Sequence, residues 1–445
     1  MLGRPLCHIS NNEVINIPKK RYKMLSTLSY NKAHQKYTLR DMADILKRNF
    51  DVTNMPIYEM IKEYGRYETE QKFLEVVRDF DIFFIYFGKP GLDFSFYKKL
   101  KLKNPKIIIV YFEGDADIVF PNYVRFLVKD FDFYVSNDSI AISDIVSKMG
   151  CKSLCTGNFT SIKSFFPIKN IKKIYDVSFY GGLKADRLEY LDYLKQKNVK
   201  VKCLGGSFEG GHLESKDLNK FLNQSKIILS FNKLGYNNGF GKLPKNYKPG
   251  LHIKGRIWES ILCKSFVLSE KVEKFERFFI PNKELVSFKG RDDLIAKIKF
   301  YLKHDLSRER IAKNAYHRLL KDYEAGKQTQ KMSNIIIKIC NEKNGLKEKF
   351  QYLDSKFGIT TVKDKGDLKS TKYKFYVNYC AGIVKQQIKK KEFKRAFLEC
   401  TSFRYGIPFY FIKTEILMFV IKTLVNLRDT FKKVINFFSF CLPLL

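Results

Sequence analysis

Apolar positions along the 445-residue chain fall into two kinds of run, short continuous stretches and stretches with helical spacing, and the two kinds alternate. After a polar lead-in over residues 1–22, Met24 to Tyr30 reads as a strand, and Lys36 to Phe50 places Leu39, Met42, Ile45 and Leu46 on one helical face. Asp81-Ile-Phe-Phe-Ile-Tyr-Phe87 and Lys106-Ile-Ile-Ile-Val-Tyr-Phe112 are near-continuous apolar runs, the pattern of strands covered on both faces. Phe131 to Val135 reads as a further strand.

The same alternation restarts at Asp176-Val-Ser-Phe-Tyr180, followed by the turn Gly181-Gly182. It continues with a helix over Arg187 to Lys197, a strand over Val199 to Leu204, a helix over Ser215 to Asn223 and a strand over Lys226 to Phe231. A Gly/Asn/Pro-rich loop covers Asn232 to Gly250. A helix from Arg256 to Cys263, a strand from Ser265 to Ser269 and a helix from Arg291 to His304 then follow. Alternating strands and helices imply parallel sheets covered by helices, and two such units in succession place a cleft between them. The expected fold is therefore α/β, with an N-terminal domain at 1–170, a second domain at 171–340 and a basic helical extension at 341–445.

Composition fits folded domains, with 45% hydrophobic and 15% aromatic residues. The formal charge of +36 admits nucleic acid, an anionic membrane surface or small anionic substrates as partners. No zinc finger or RNA-binding signature accompanies it, and the lysines are scattered, so no specific nucleic acid is expected. Nine cysteines at irregular spacing form neither a disulfide framework nor a zinc site, which suits a reducing compartment. Met1 to Ser10 carries no apolar stretch of signal-peptide length, so the expected location is cytoplasmic.

Candidate chemistry concentrates in Leu251-His-Ile-Lys-Gly-Arg-Ile-Trp-Glu259. A helix starting at Arg256 puts Lys254 and Arg256 beside free backbone N–H groups and the positive end of the helix dipole, a place for a diphosphate. Glu259, one turn deeper on the same face, can accept hydrogen bonds from ribose hydroxyls; spacing alone favours an exposed Arg–Glu pair. The turn Gly181-Gly182 either lets backbone approach a ligand or simply joins strand to helix. His252 is weighted for its position beside Lys254, and His212 less.

Lys254-Gly-Arg256-Ile-Trp-Glu259, Phe266-Val-Leu-Ser269, Glu284-Leu-Val-Ser-Phe288, Leu294 to Leu302 and Arg308-x-x-Ile-Ala312 form an ordered set. With Asp176-Val-Ser-Phe-Tyr-Gly-Gly182, Arg187 and Ser225-Lys-Ile-Ile-Leu-Ser230 upstream, it resembles the donor-binding domain of the spore-maturation-protein-like group 1 glycosyltransferases, over residues 175 to 320. The resemblance implies a GT-B fold, with two Rossmann-like domains facing a cleft. It also implies a sugar nucleotide as donor, a diphosphate held by Lys254 and Arg256, and a ribose contact by Glu259. Retaining members carry a second glutamate eight residues earlier, where this chain has Leu251, so the anomeric outcome stays open.

Glu113-Gly-Asp115-Ala-Asp117 follows a strand end. Asp115 and Asp117 are thus candidate general bases for an acceptor hydroxyl, against the alternative of a solvated turn or helix cap. Asp115-x-Asp117 also fits a metal-binding signature of GT-A enzymes, as do Asp79-Phe-Asp81 and Asp130-Phe-Asp132; with two cations at hand, no metal cofactor is expected.

Near the C-terminus, Leu417, Val420, Ile421, Leu424, Leu427, Phe431, Val434, Ile435 and Phe438 form an amphipathic pattern among Lys422, Arg428, Lys432 and Lys433. Such a helix either lies on an anionic membrane surface or packs internally. The reading as a whole is a glycosyltransferase acting on a glycan, lipid-linked saccharide or protein hydroxyl, cytoplasmic and peripheral to the membrane's inner face. Its rivals are a sugar-nucleotide epimerase on the same fold, a metal-dependent GT-A enzyme and a polyanion- or membrane-binding protein.

Overall fold

The computed structural model describes residues 21–29, 36–86, 92–93, 95–114, 116–120, 123–183, 186–206, 208, 214–233 and 251–342. Asp115, His212, the loop over 234–250, and the C-terminal extension with its amphipathic stretch lie outside the described residues.

Two parallel sheets form two lobes. The first lobe contains β1 (Lys23–Ser26), α1 (Lys36–Asn49), β2 (Asp51–Asn54), α2 (Ile57–Tyr64), α3 (Arg66–Val76), β3 (Ile82–Tyr86), α4 (Phe96–Lys103), β4 (Ile108–Glu113), α5 (Ala116–Val119), β5 (Phe133–Ser136), α6 (Ile140–Lys148) and β6 (Lys152–Cys155). Its strand order is β2-β1-β3-β4-β5-β6, every pair parallel. The two apolar runs of the sequence, β3 and β4, are interior strands, and alternate side chains enter opposite cores. Phe83 and Ile85 go to one face with Phe73 and Phe96; Ile82 and Phe84 go to the other with Met42 and Leu46 of α1.

The second lobe runs β7 (Tyr175–Tyr180), α7 (Arg187–Gln196), β8 (Val201–Leu204), α8 (Ser215–Asn223), β9 (Ser225–Ser230), α9 (Gly255–Leu262), β10 (Phe266–Glu270), β11 (Val286–Phe288), α10 (Arg291–Lys303) and α11 (Asp305–Arg318). Its sheet order is β11-β10-β9-β7-β8, again parallel throughout. The fold is two Rossmann-like α/β domains, the GT-B arrangement. In each sheet the chain reverses direction of travel beside its first strand, between β1 and β3 and between β7 and β9, and such switch points open crevices at the carboxyl ends of the strands.

One boundary differs from the sequence expectation. Residues 325–340 fall in the expected second domain, yet helix α12 (Ala325–Glu342) crosses back to the first. Its Met332, Ile336, Ile337 and Ile339 enter the core made by α1 and the outer face of the first sheet. Tyr22 donates to Asn341 Oδ1 at 2.6 Å, and Lys152 pairs with Glu342 at 2.6 Å. Helical periodicity identifies which face of α12 is apolar; it carries no information about which sheet that face meets. No helix among the described residues is long and apolar enough to cross a membrane.

Candidate functional site

Helix α9 begins at Gly255, shortly after the described chain resumes at Leu251. Its N-cap, Lys254, is extended (φ −86°, ψ 145°), and a lysine side chain has no acceptor with which to cap the first turn. The first-turn N–H groups therefore keep the positive end of the helix available to an anion. The opposite face of α9 anchors it: Ile257, Trp258, Ile261 and Leu262 are buried, and the Trp258 ring packs 5.3 Å from both Phe278 and Phe279. The first lobe fits against this helix without clearance, since a Cβ on Gly157 would stand 2.4 Å from the Trp258 ring, at a φ of +71°.

Arg256 lies under the tip of β7. Its guanidinium sits 4.9 Å above the Phe179 ring, and Nη1 donates to the Phe231 carbonyl at 3.1 Å. Gly181, with φ +121°, is the residue that makes room: a Cβ there would be 2.8 Å from Arg256 Nη2. Arg187, at the start of α7, is 5% exposed and donates from Nη1 to the Gly182 carbonyl at 2.7 Å, with its guanidinium 5.9 Å from the same Phe179 ring. Burial, then the charge of Arg256, brings Arg187 down to about 9, still charged at neutral pH.

Among the described residues neither guanidinium has a carboxylate ion pair, and the Nε of each is buried without a hydrogen-bond partner. Of the carboxylates that act on Arg187 by charge, Asp186 pairs with Lys233 at 3.0 Å and Glu270 accepts from the Asn232 backbone N–H at 2.7 Å. Two desolvated cations on one aromatic ring, short of counter-charge, form a receptor for an anion. In the sequence Arg187 stands out only within the family pattern; in the fold Gly181, Gly182 and Arg256 surround it, and Lys254 is the N-cap of α9 two residues before Arg256.

Glu259 lies one turn below Arg256 and accepts a hydrogen bond from the Tyr180 hydroxyl. Burial raises its carboxyl above the ordinary value, with Tyr180 and Arg256 opposing. It opens on a cleft between the lobes, whose walls include Tyr86, Phe112, Asn137, Asn158 and Phe159 from the carboxyl-terminal rim of the first sheet.

His252 takes a different place from the one its neighbourhood to Lys254 suggests. It is 2% exposed at the seam between lobes, with Nδ1 3.0 Å from Asp138 Oδ2 and 4.0 Å from Asp117 Oδ2, and the neighbouring Ile253 N–H donates to the Asp138 carbonyl at 2.9 Å. Asp138 Oδ1 accepts from Ser136 Oγ at 3.1 Å and from the Ala116 N–H at 3.3 Å. Asp117, expected to face the cleft, is likewise 2% exposed, because the first turn of α5 aims its carboxylate inward at His252. Glu113 is buried and accepts from the Tyr134 hydroxyl.

The other Asp-x-Asp sequences lie at the wrong rim. Asp81 and Asp132 precede β3 and β5, at the amino-terminal ends of the strands, where they accept from the Lys23 and Ile109 backbone N–H groups at 2.8 Å. Among the described residues no group of three His, Cys, Asp or Glu side chains is arranged to hold a metal.

A family model described as glycosyl transferase-like matches residues 186–334, which takes in α7 to α11 and the first half of α12. No curated protein matches the chain. Similar solved structures include a HepE protein of Anabaena in complex with UDP and glucose (11% identity, 72% of this chain and 100% of that chain, TM-score 0.49). Others are a sucrose-phosphate synthase from Thermosynechococcus elongatus (10%, 72% and 100%, 0.48) and a glycosyltransferase from Rickettsia africae (13%, 72% and 98%, 0.48). At these identities the fold rests on the two strand orders themselves. The match to the glycosyl transferase-like model thus takes in Arg187, Arg256 and Glu259 of the second lobe, while most of the first lobe, of the same α/β construction, lies outside it.

Proposed function

We propose that the protein transfers a sugar from a nucleoside-diphosphate sugar to an acceptor hydroxyl. The observation that carries this is the meeting of Arg256 and Arg187 beside the Phe179 ring, without a carboxylate ion pair among the described residues, at the N-terminus of α9 whose N-cap is Lys254 and one helical turn from Glu259. In this reading the acceptor oxygen bonds to the anomeric carbon as the bond from that carbon to the diphosphate breaks. The charge left on the nucleoside diphosphate is taken up by preorganised cations and the helix N-terminus. Glu259, held by Tyr180, accepts from the ribose hydroxyls.

The acceptor proton goes to the carboxylates expected for that task, Asp115 or Asp117. Asp117 stands 4.0 Å from His252 Nδ1, whose hydrogen-bond partner is Asp138 at 3.0 Å, so it acts on that imidazole by charge. Fixed cations replace a metal ion, so activity survives a chelator. The basic amphipathic stretch from Leu417 to Phe438 supports a place at an anionic membrane surface, where lipid-linked acceptors lie.

Thermal shift of the full chain against UDP, GDP, ADP and CMP, with and without EDTA, tests this. Stabilisation by one nucleoside diphosphate, unchanged by EDTA and abolished by Arg256→Ala and by Glu259→Ala, is expected. No shift with any nucleotide sinks the reading, and sugar-nucleotide turnover in the absence of an acceptor favours an epimerase instead.

A further inference from the structure

Strand β9 stops pairing just short of a group the site depends on. Its ladder with β10 ends at Ser230 and Ser269; the next residue is Phe231, whose carbonyl takes Arg256 Nη1 at 3.1 Å, and then comes Asn232. Beyond the ladder, two side chains hold the strand ends together.

Asn232 is fully buried, and each of its polar groups is engaged. Its Nδ2 donates to the Glu270 carbonyl at 2.6 Å and to Ser269 Oγ at 2.8 Å, while its Oδ1 accepts from Ser230 Oγ at 2.9 Å. Its backbone N–H donates to Glu270 Oε2 at 2.7 Å, and its carbonyl accepts from the His252 N–H at 3.3 Å, on the approach to α9. Glu270, 8% exposed at the tip of β10, takes the Lys233 N–H on the same oxygen at 3.3 Å. The two residues thus join the ends of β9 and β10 and the lead-in to α9 into one clasp, with the Phe231 carbonyl inside it. A buried polar network whose members are satisfied fixes one geometry, and removing a member leaves its partners unmet.

Glu270 also acts on Arg187 by charge, which gives it a second possible role with the opposite sign. A counter-charge competes with a bound anion, so its removal tightens binding; a clasp orients the receptor, so its removal weakens binding. The carboxylate is turned onto the backbone N–H groups at the end of β9 rather than onto a guanidinium, which favours the clasp.

We infer that Asn232 and Glu270 are positioning residues for the anion receptor, holding the Phe231 carbonyl, and through it the Arg256 guanidinium, at the N-terminus of α9. The inference rests on the glycosyltransferase reading only for the identity of the anion.

Two conservative variants separate reach from charge. Glu270→Asp keeps the charge and falls one methylene short of the N–H groups; Glu270→Gln keeps an oxygen for them and drops the charge. The full chain is titrated calorimetrically with UDP and GDP, and the emission of Trp258, its one tryptophan, two residues past Arg256 on α9, is recorded without ligand. Glu270→Asp and Asn232→Ala are each expected to weaken the nucleotide about tenfold, the effect of one hydrogen bond, and Glu270→Gln to stay within about twofold of the wild type. Should Asn232→Ala not fold, the Glu270 pair decides. That pattern upholds the inference. Tighter binding in Glu270→Gln with Glu270→Asp unchanged makes Glu270 a counter-charge and overturns it, as does unchanged affinity in both. If the wild type binds neither nucleotide, the donor reading falls and the emission decides the clasp: displaced in Glu270→Asp and native in Glu270→Gln upholds it, native in both overturns it.

Discussion

The first lobe ends its cleft-facing strands in Tyr86, Phe112, Asn137 and, beyond β6, Phe159 and Thr160; the second ends its own in Gly181, Arg187, Lys254 and Arg256. Both rims are built by the same device, parallel strands whose carboxyl ends release the chain into short turns, and both sheets switch direction there. The scaffold is therefore indifferent to the ligand. Among the described residues, the few after each strand give one rim aromatics and amides and the other two guanidiniums without a carboxylate ion pair.

If that division is real, removing a cation from the second rim has the largest effect. Arg256→Ala lowers nucleoside-diphosphate affinity by about a thousandfold, roughly 4 kcal/mol, as truncating one partner of a buried charged contact does. Calorimetric titration of the full chain reads this, and a loss below fivefold would break the contrast between rims.

Next in size is the dependence of the first lobe on α12. Ile336→Ala opens a cavity between α12 and the first sheet and costs about 3 kcal/mol in urea unfolding, leaving nucleotide affinity unchanged at temperatures where the chain is folded. A matched loss of nucleotide affinity would mean that the lobes do not divide the labour.

Gly181→Ala is smaller and local. It combines a left-handed backbone with a Cβ 2.8 Å from Arg256 Nη2, so it displaces the guanidinium and costs about 2 kcal/mol of nucleotide binding in the same titration.

The smallest effect is a pH dependence. Burial raises Glu259 above its ordinary 4.5, so the folded chain binds this proton more readily than the unfolded chain, and stability is lost as pH rises from 4.5 through the raised value. Glu259→Gln keeps an acceptor for Tyr180 and lacks that penalty. Ligand-free, it melts about 2 °C above the wild type at neutral pH, an advantage that vanishes below pH 4.5. An equal difference at both pH values would show that Glu259 is not strained by its surroundings.

Much of this arrangement was legible in the chain. The interior strands β3, β4, β7 and β9 announce themselves because burial on both faces requires unbroken apolar runs, and helix Ser215–Asn223 falls where its spacing predicts. The strands that escaped, β2, β6 and β11, are all edges, where half-exposed positions admit Asp51, Thr53, Lys152 and Ser287 and blur the pattern. In the site, Lys254, Arg256 and Glu259 are legible because they are local to one helix terminus. His252 and Asp117 are not, since their burial depends on a contact between lobes more than a hundred residues apart in sequence. Arg187 is legible only within the family pattern, and no spacing rule joins it to Gly181 and Phe179.

Helix α12 also sets an order of events during synthesis. The second lobe is a continuous stretch from Tyr175 to Arg318 and can close as soon as that stretch leaves the ribosome. The first lobe cannot: Met24, Phe84 and Val110 wait with one sheet face uncovered until Met332 and Ile336 arrive. At ordinary elongation rates that interval after β6 lasts roughly 10–40 s, long enough for an apolar sheet face to find the wrong partner. The lobe made first is thus finished last, and a fragment ending before α12 should aggregate where a chain reaching Glu342 stays soluble.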